Sequence, residues 1–238
     1  MPVGRSFRDC TCFCLAFLLA CPAAAQSIAD PTIRSGAVAI QGLGTNDVRI
    51  NQSSDKAIID WRAFSIDSGS QVQFLQPGSG SIALNRITGT GGTRIDGSLL
   101  ANGQVWLLNP NGVLIGGTGR VAAGGFLATT HAISDDDFIA GNYSFGNEGT
   151  PYSGVLNLGT IVAADGGYAV LAGNRVGNAG LVQARLGEVV MGAGKGFALD
   201  VAGDRLLSFA VTAPLSVVPA DGAIVDNRGT LSAAGGRV

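Results

Sequence analysis

From Gly36 onward the chain alternates short apolar runs with Gly, Asn, Asp and Ser. Residues 37–41, 57–61, 71–75, 81–87, 104–108, 113–117 and 168–173 are such runs, each of strand length and most bounded by turn residues. No long stretch repeats with helical period. One short helix is predicted over residues 134–141, with Ser134 as N-cap, Asp137 at the third helical position and Gly141 as the stop. The rest reads as all-β. The segment Val105 to Gly117, VWLLNPNGVLIGG, stands out because four turn residues interrupt its apolar run. Asn109-Pro110-Asn111-Gly112 suits a type I turn, with Pro110 second, Asn111 third and Gly112 closing it.

A repeat underlies the later strands. Asn157-Leu158-Gly159-Thr160-Ile161-Val162-Ala163 recurs from Asn178 and again from Asn227, as N-x-G-x-Φ-x-A with Φ apolar. The first two copies start 21 residues apart, and a partial copy without the Asn begins at Gly97. The 49 residues from Asn178 to Asn227 predict two units plus an insertion that includes residues 205–212. A period near twenty with strand-like alternation predicts a solenoid. Leucine-rich repeats need Leu where this unit has Ala and Gly, so a parallel β-helix fits better. Asn suits a corner because it tolerates left-handed backbone angles and its amide can bond up a ladder; Gly suits the other corners. Residues 32–61 are the expected N-terminal cap. The end, Ala234-Gly235-Gly236-Arg237-Val238, carries no visible cap, which points to a fragment or the start of a longer solenoid.

Composition narrows the classes. With 46% hydrophobic residues, 13% charged residues and 37 glycines, the chain is neither disordered nor helix-rich. Its 238 residues allow one large domain or two small ones. A net charge of −2 argues against a nucleic-acid surface. Residues 1–25 read as a secretory signal peptide: Arg5 and Arg8, an apolar stretch from Cys10 to Ala20, then Ala23-Ala24-Ala25 before Gln26. The stretch is too short to span a bilayer comfortably. A lipoprotein signal ending at Cys21 fits less well, because Leu19 is poorly placed for it. All four cysteines (Cys10, Cys12, Cys14, Cys21) fall in this leader, so a mature chain of residues 26–238 has none, no transmembrane span, and a net charge of −3.

Chemistry-bearing residues are sparse. His131 is the single histidine and lies in a Thr-Thr-His-Ala segment with no nucleophile elbow, so a loop histidine is the expectation. Gly89-Thr90-Gly91-Gly92 and Gly116-Gly117-Thr118-Gly119 lack the G-K-[ST] of a phosphate loop and read as turns. Asp135-Asp136-Asp137 suits a helix N-terminus. A carbohydrate-binding or carbohydrate-cleaving β-helix is the alternative function, and would require Asp60, Asp67 and Asp96 to cluster by stacking. No cofactor and no catalytic or metal-binding residues are expected.

Several runs together carry a family resemblance. Residues 50–61, then Phe64-Ser65-Ile66, Val72-Gln73-Phe74, Ala83-Leu84-Asn85-Arg86-Ile87-Thr88-Gly89 and residues 101–113 resemble the filamentous haemagglutinin N-terminal domain. This is the haemagglutination activity, or two-partner secretion, domain, and the likeness spans residues 27–203. It implies a right-handed parallel β-helix that opens a large exported exoprotein. It also implies Sec export to the periplasm of a Gram-negative bacterium and recognition by a dedicated outer-membrane transporter through periplasmic recognition domains. The exoprotein then crosses unfolded, folds outside and ends secreted or at the cell surface. The resemblance implies a module shared by adhesins, haemolysins, haem-acquisition proteins and contact-dependent toxins, so any glycan or host-cell partner would belong to downstream regions. The second motif of one branch, NPNL, is missing; residues 83–87 resemble the high-molecular-weight adhesin branch instead. The matching NPNG carries over Asn109, Pro110, Asn111 and Gly112 as secretion positions, with Asn51, Gln52, Trp61, Asn85 and Arg86 as cap or recognition candidates.

Overall fold

The computed structural model describes residues 27–146, 153–201, 207–213 and 224–238. The proposed leader and its cleavage pair, Ala25 and Gln26, lie outside them. The described chain is a parallel β-solenoid of about six turns. Each full coil runs over three faces. The first face stacks Asp47–Gln52, Gln71–Leu75, Ser98–Ala101, the first part of Arg120–Thr129, the first part of Thr160–Gly173, Leu181–Ala184 and Thr230–Ser232. The second stacks Lys56–Trp61, Ile82–Ile87, Gln104–Leu108, the later parts of those two long strands, and Glu188–Ala193. The third stacks Thr93–Ile95, Val113–Ile115, Val155–Asn157, Val176–Asn178 and Val225–Asn227.

Register explains the repeat. Val48, Val72, Leu99, Val121, Ile161, Val182 and Leu231 lie one above another and fill the interior from the first face. Ile95, Ile115, Asn157, Asn178 and Asn227 form the matching column at the end of the third face. The Asn of the motif therefore ends the third face, its Gly makes the corner, and Φ and Ala point inward from the first face. Asn157 Nδ2 donates to Asn178 Oδ1 at 2.8 Å, and Asn178 Nδ2 to Asn227 Oδ1 at 2.8 Å. Each of the lower two also accepts from the backbone of the Gly two residues on. The amide ladder is thus present, but these Asn residues have no positive φ. Left-handed geometry is not their reason for being there; buried amide bonding is.

The corner glycines need a second correction. Gly119, Gly159, Gly180 and Gly229 form one column, and Gly124, Gly167, Gly187 and Gly236 another. None has positive φ. A Cβ at any of the upper members would strike a backbone carbonyl of the coil below. Close approach of stacked backbones, not conformational freedom, selects glycine here.

Two further differences from the sequence-based expectation follow from long-range pairing. The cap is shorter than residues 32–61: Ile28–Ala29, Thr32–Ser35 and Val38–Gln41 pair antiparallel with the first turn, whereas Asp47–Gln52 and Lys56–Trp61 already stack in parallel as coil. Asn178 and Asn227 are direct neighbours in register, so one coil spans them rather than two units. Its extra length includes the antiparallel hairpin Gly196–Val201 and Leu207–Ala213, whose second strand falls in the expected insertion and which lies outside the coil stack.

That hairpin, the strand Ser144–Phe145 and the helix Asp135–Ala140 form a layer on the second face. The helix has the predicted Ser134 N-cap and Gly141 C-cap. The layer covers a column of outward residues, Ile58, Leu84, Trp106, Leu127 and Val170, which is buried as fully as the interior. Among the described residues two hydrophobic clusters result, one inside the coils with Trp61, one outside them with Trp106. The signal was in the sequence: QVWLL is apolar at successive positions, as a strand buried on both sides must be, whereas QVQFL alternates.

Candidate functional site

The NPNG turn is the corner between the second and third faces, between strands Gln104–Leu108 and Val113–Ile115. Gly112 N–H donates to Asn109 C=O at 3.0 Å, closing the predicted turn. Gly112 has φ +109°, a conformation that side-chain-bearing residues rarely adopt. Asn109 is fully buried. Its Nδ2 donates to Gly91 C=O and Thr93 Oγ1, both at 3.0 Å, while its Oδ1 accepts the Asn111 N–H at 2.9 Å. Asn111 Nδ2 donates to Gly89 C=O at 2.9 Å. Both amides thus hold the corner of the preceding coil, the Gly89–Gly92 turn. Above, Val113 N–H donates to Gly154 C=O. Pro110 is half-buried.

The cap candidates fall in two places. Trp61 and Asn85 are buried, and Trp61 Nε1 donates to Asn85 Oδ1 at 3.0 Å inside the first coils. Asn85 thereby occupies an interior position between Ile59 and Leu107. Gln52 is buried at a corner, accepting from Gln76 Nε2 at 3.3 Å and donating to Ser54 C=O. Asn51 is half-buried and opposes Ala39 of the cap. Arg86 faces outward, with Nε on Asp60 at 2.8 Å and a terminal nitrogen on Asp135 at 2.9 Å. Burial opposes its charge, but bonds to Asp60 and Asp135 outweigh that and raise its pKa. Arg34 of the cap approaches the same two carboxylates. The network joins cap, coil and helix, a grouping that no spacing in the sequence announces.

Of the proposed acidic cluster, Asp67 and Asp96 follow the paired Ile66 and Ile95 on adjacent coils, but Asp60 stands in a separate ion-pair network. Asp60 is engaged by Arg86, and Asp96 by Arg94. Among the described residues no group of three or more His, Cys, Asp or Glu could hold a metal ion, and no helix is long and apolar enough to cross a membrane. His131 is buried, unlike an ordinary loop histidine. Its Nε2 lies 2.8 Å from Gly194 C=O, which only accepts, so Nε2 carries the hydrogen. Thr129 and Thr130 hydroxyls face Nδ1, and Phe197 packs edge-on.

Burial lowers the His131 pKa, with bonds to Gly194 and Lys195 opposing. Below the ordinary histidine pKa of about 6.5 the unfolded chain binds a proton that the folded chain refuses. Stability is therefore expected to fall from that pH down to the lowered folded value, by at most about 1.4 kcal/mol per pH unit. Denaturation midpoints across this window should slope less in His131→Gln; an unchanged slope would refute the assignment.

Comparison with known proteins agrees with this geometry. A family model described as the TPS secretion domain matches residues 25–237. Over 200 residues the chain is 34% identical to a heme/hemopexin-binding protein of Haemophilus influenzae, covering 80% of this chain and 22% of that protein. A second protein of that name and organism is 39% identical over 110 residues, covering 46% of this chain and 12% of the relative. The chain therefore spans less than a quarter of these relatives' length. The HMW1 secretion domain of Haemophilus influenzae has a TM-score of 0.77 at 30% identity, covering 88% of this chain and 54% of that one. The filamentous hemagglutinin secretion domain shares the fold, with a TM-score of 0.57 at 16% identity, covering 87% of this chain and 76% of that one. A solenoid with an antiparallel cap, an NPNG corner and a family match over nearly its whole length places this chain in the TPS secretion domain family.

Proposed function

We propose that this chain is the N-terminal secretion and recognition module of an exported adhesin- or haemagglutinin-like exoprotein. An outer-membrane transporter recognises it in the periplasm through the transporter's periplasmic domains, and it starts β-helix folding outside the cell. The observation that carries this reading is the NPNG corner, whose two Asn side chains tie it to the coil below. Such a corner supports a solenoid that grows coil by coil from a capped end. The absence of cysteine beyond the leader fits a chain that crosses a pore without cross-links. The module is non-catalytic in this reading.

The relatives' name points to haem or hemopexin as a ligand of a whole exoprotein. The single histidine is buried with both ring nitrogens facing protein groups, which argues against His131 as a haem ligand in this module.

The test is coexpression with the partner transporter and assay of the medium. Asn109→Ala with Asn111→Ala removes the side-chain bonds at the corner, each worth about 1 kcal/mol. Secretion is expected to fall roughly tenfold or more as the folded corner loses population. Undiminished secretion would sink the role of the turn. Pro110→Ala separates contact from folding: a chain that folds normally yet stays in the cell would mean the transporter touches the ring.

A further inference from the structure

Asn-Gly is the dipeptide most open to attack on the side-chain amide by the following backbone nitrogen, because glycine has no Cβ to hinder the approach. The chain has two, Asn102-Gly103 and Asn111-Gly112. Both sit at coil corners. In each, the attacking nitrogen and the amide that would leave are held by hydrogen bonds. Gly112 N–H donates to Asn109 C=O at 3.0 Å, and Asn111 Nδ2 to Gly89 C=O at 2.9 Å. At the other corner one residue performs both tasks. Gly103 N–H donates to Gln76 Oε1 at 3.1 Å, and Asn102 Nδ2 donates to Gln76 C=O at 2.7 Å.

We propose that Asn102 and Asn111 are spontaneous deamidation sites of the unfolded chain, and that coil formation shuts the reaction off. The glycine nitrogen loses its proton and bonds to the Asn Cγ. Ammonia leaves, and a five-membered succinimide remains. Water then opens the ring, at the γ-carbonyl to give aspartate or at the α-carbonyl to give isoaspartate. The net change is one water consumed and one ammonia released.

Either product damages the corner. A carboxylate at position 111 would face Gly89 C=O with no hydrogen to donate, and at position 102 would face Gln76 C=O. Isoaspartate also lengthens the backbone by a methylene where stacked coils demand equal length. Time spent unfolded, as before or during export, is therefore recorded at the secretion turn, whereas folding protects it. This inference does not depend on which transporter is used.

The purified chain would be held at mildly alkaline pH, native in buffer or denatured in guanidinium chloride. Peptide mapping by mass spectrometry with isoaspartyl methyltransferase labelling locates the products. Asn102 and Asn111 should react in the denatured chain well ahead of Asn46 and Asn85, which precede Asp and Arg. In the native chain they should react roughly a hundredfold more slowly, since corner opening limits the reactive state. Equal native and denatured rates, or no preference for these two positions, would overturn the proposal. On removal of denaturant, the fraction that fails to refold should track modification at these positions. Modified chains that regain native stability would refute the damage step.

Discussion

Trp106→Ala is expected to lower stability by about 3–5 kcal/mol, the range for a large aromatic removed from a packed core. Trp106 is fully buried between Leu84 and Leu127 on the outward side of the second face. Its ring meets Tyr143 at 4.7 Å and Phe138 at 5.5 Å, both edge-on, and Phe145 at 5.8 Å. Its Nε1 donates to Tyr168 Oη at 2.7 Å, and Tyr168 in turn donates to Gln104 Oε1. Burial raises the Tyr168 pKa, so the phenol stays protonated and able to donate. Truncation opens a void at the meeting point of coil, helix and hairpin. It also removes the N–H that Tyr168 Oη accepts, leaving that hydroxyl with Gln104 as its partner. Trp106→Phe keeps a ring but loses the N–H, so it should recover most, not all, of the loss. Urea denaturation followed by circular dichroism measures both. A loss below about 1 kcal/mol for the alanine variant would mean that the outer layer is not packed on the coil as described.

Gly167→Ala should cost about 3 kcal/mol or more, at or beyond the upper end for overpacking. The added Cβ collides with the Gly124 carbonyl of the coil below. That obstacle is backbone, held by ladder bonds on both sides of the corner. Relief requires the two coils to separate, which breaks those bonds. The control is Gly117→Ala, where a Cβ meets nothing within 4 Å and φ is not positive. It should change stability by no more than about 0.5 kcal/mol. If the two variants proved equally stable, close stacking would not be the reason for the glycine columns.

Repetition made the solenoid legible. Each copy of N-x-G-x-Φ-x-A restates the same local environment, so three copies disclosed the coil, the inward positions and the amide ladder. The NPNG turn and the Ser134-to-Gly141 helix were legible because turn and cap chemistry is local. Features set by distant pairing were not. That Thr32–Ser35 runs antiparallel to Lys56–Trp61 depends on how the chain reverses, and no residue type marks the boundary between cap and coil. The coil between Asn178 and Asn227 looked like two units plus an insertion because its 49 residues exceed twice the 21-residue period. Asn85 was legible only as a cap or recognition candidate; its interior place depends on the donor that Trp61 supplies from a neighbouring coil. The glycines pointed correctly to corners. Their reason, contact with the next coil, lies outside any single repeat.

The two hydrophobic compartments hold one tryptophan each, and the chain has only these two. Trp61 lies inside the first coils beside the edge-on ring of Phe64. Trp106 lies outside them, under a layer whose hairpin follows it by some ninety residues. A chain emerging from its N-terminus completes the surroundings of Trp61 before those of Trp106. The protein thus carries an intrinsic optical clock: two emission signals, separable by Trp→Phe replacement, that would time capping and layer closure independently as the chain folds.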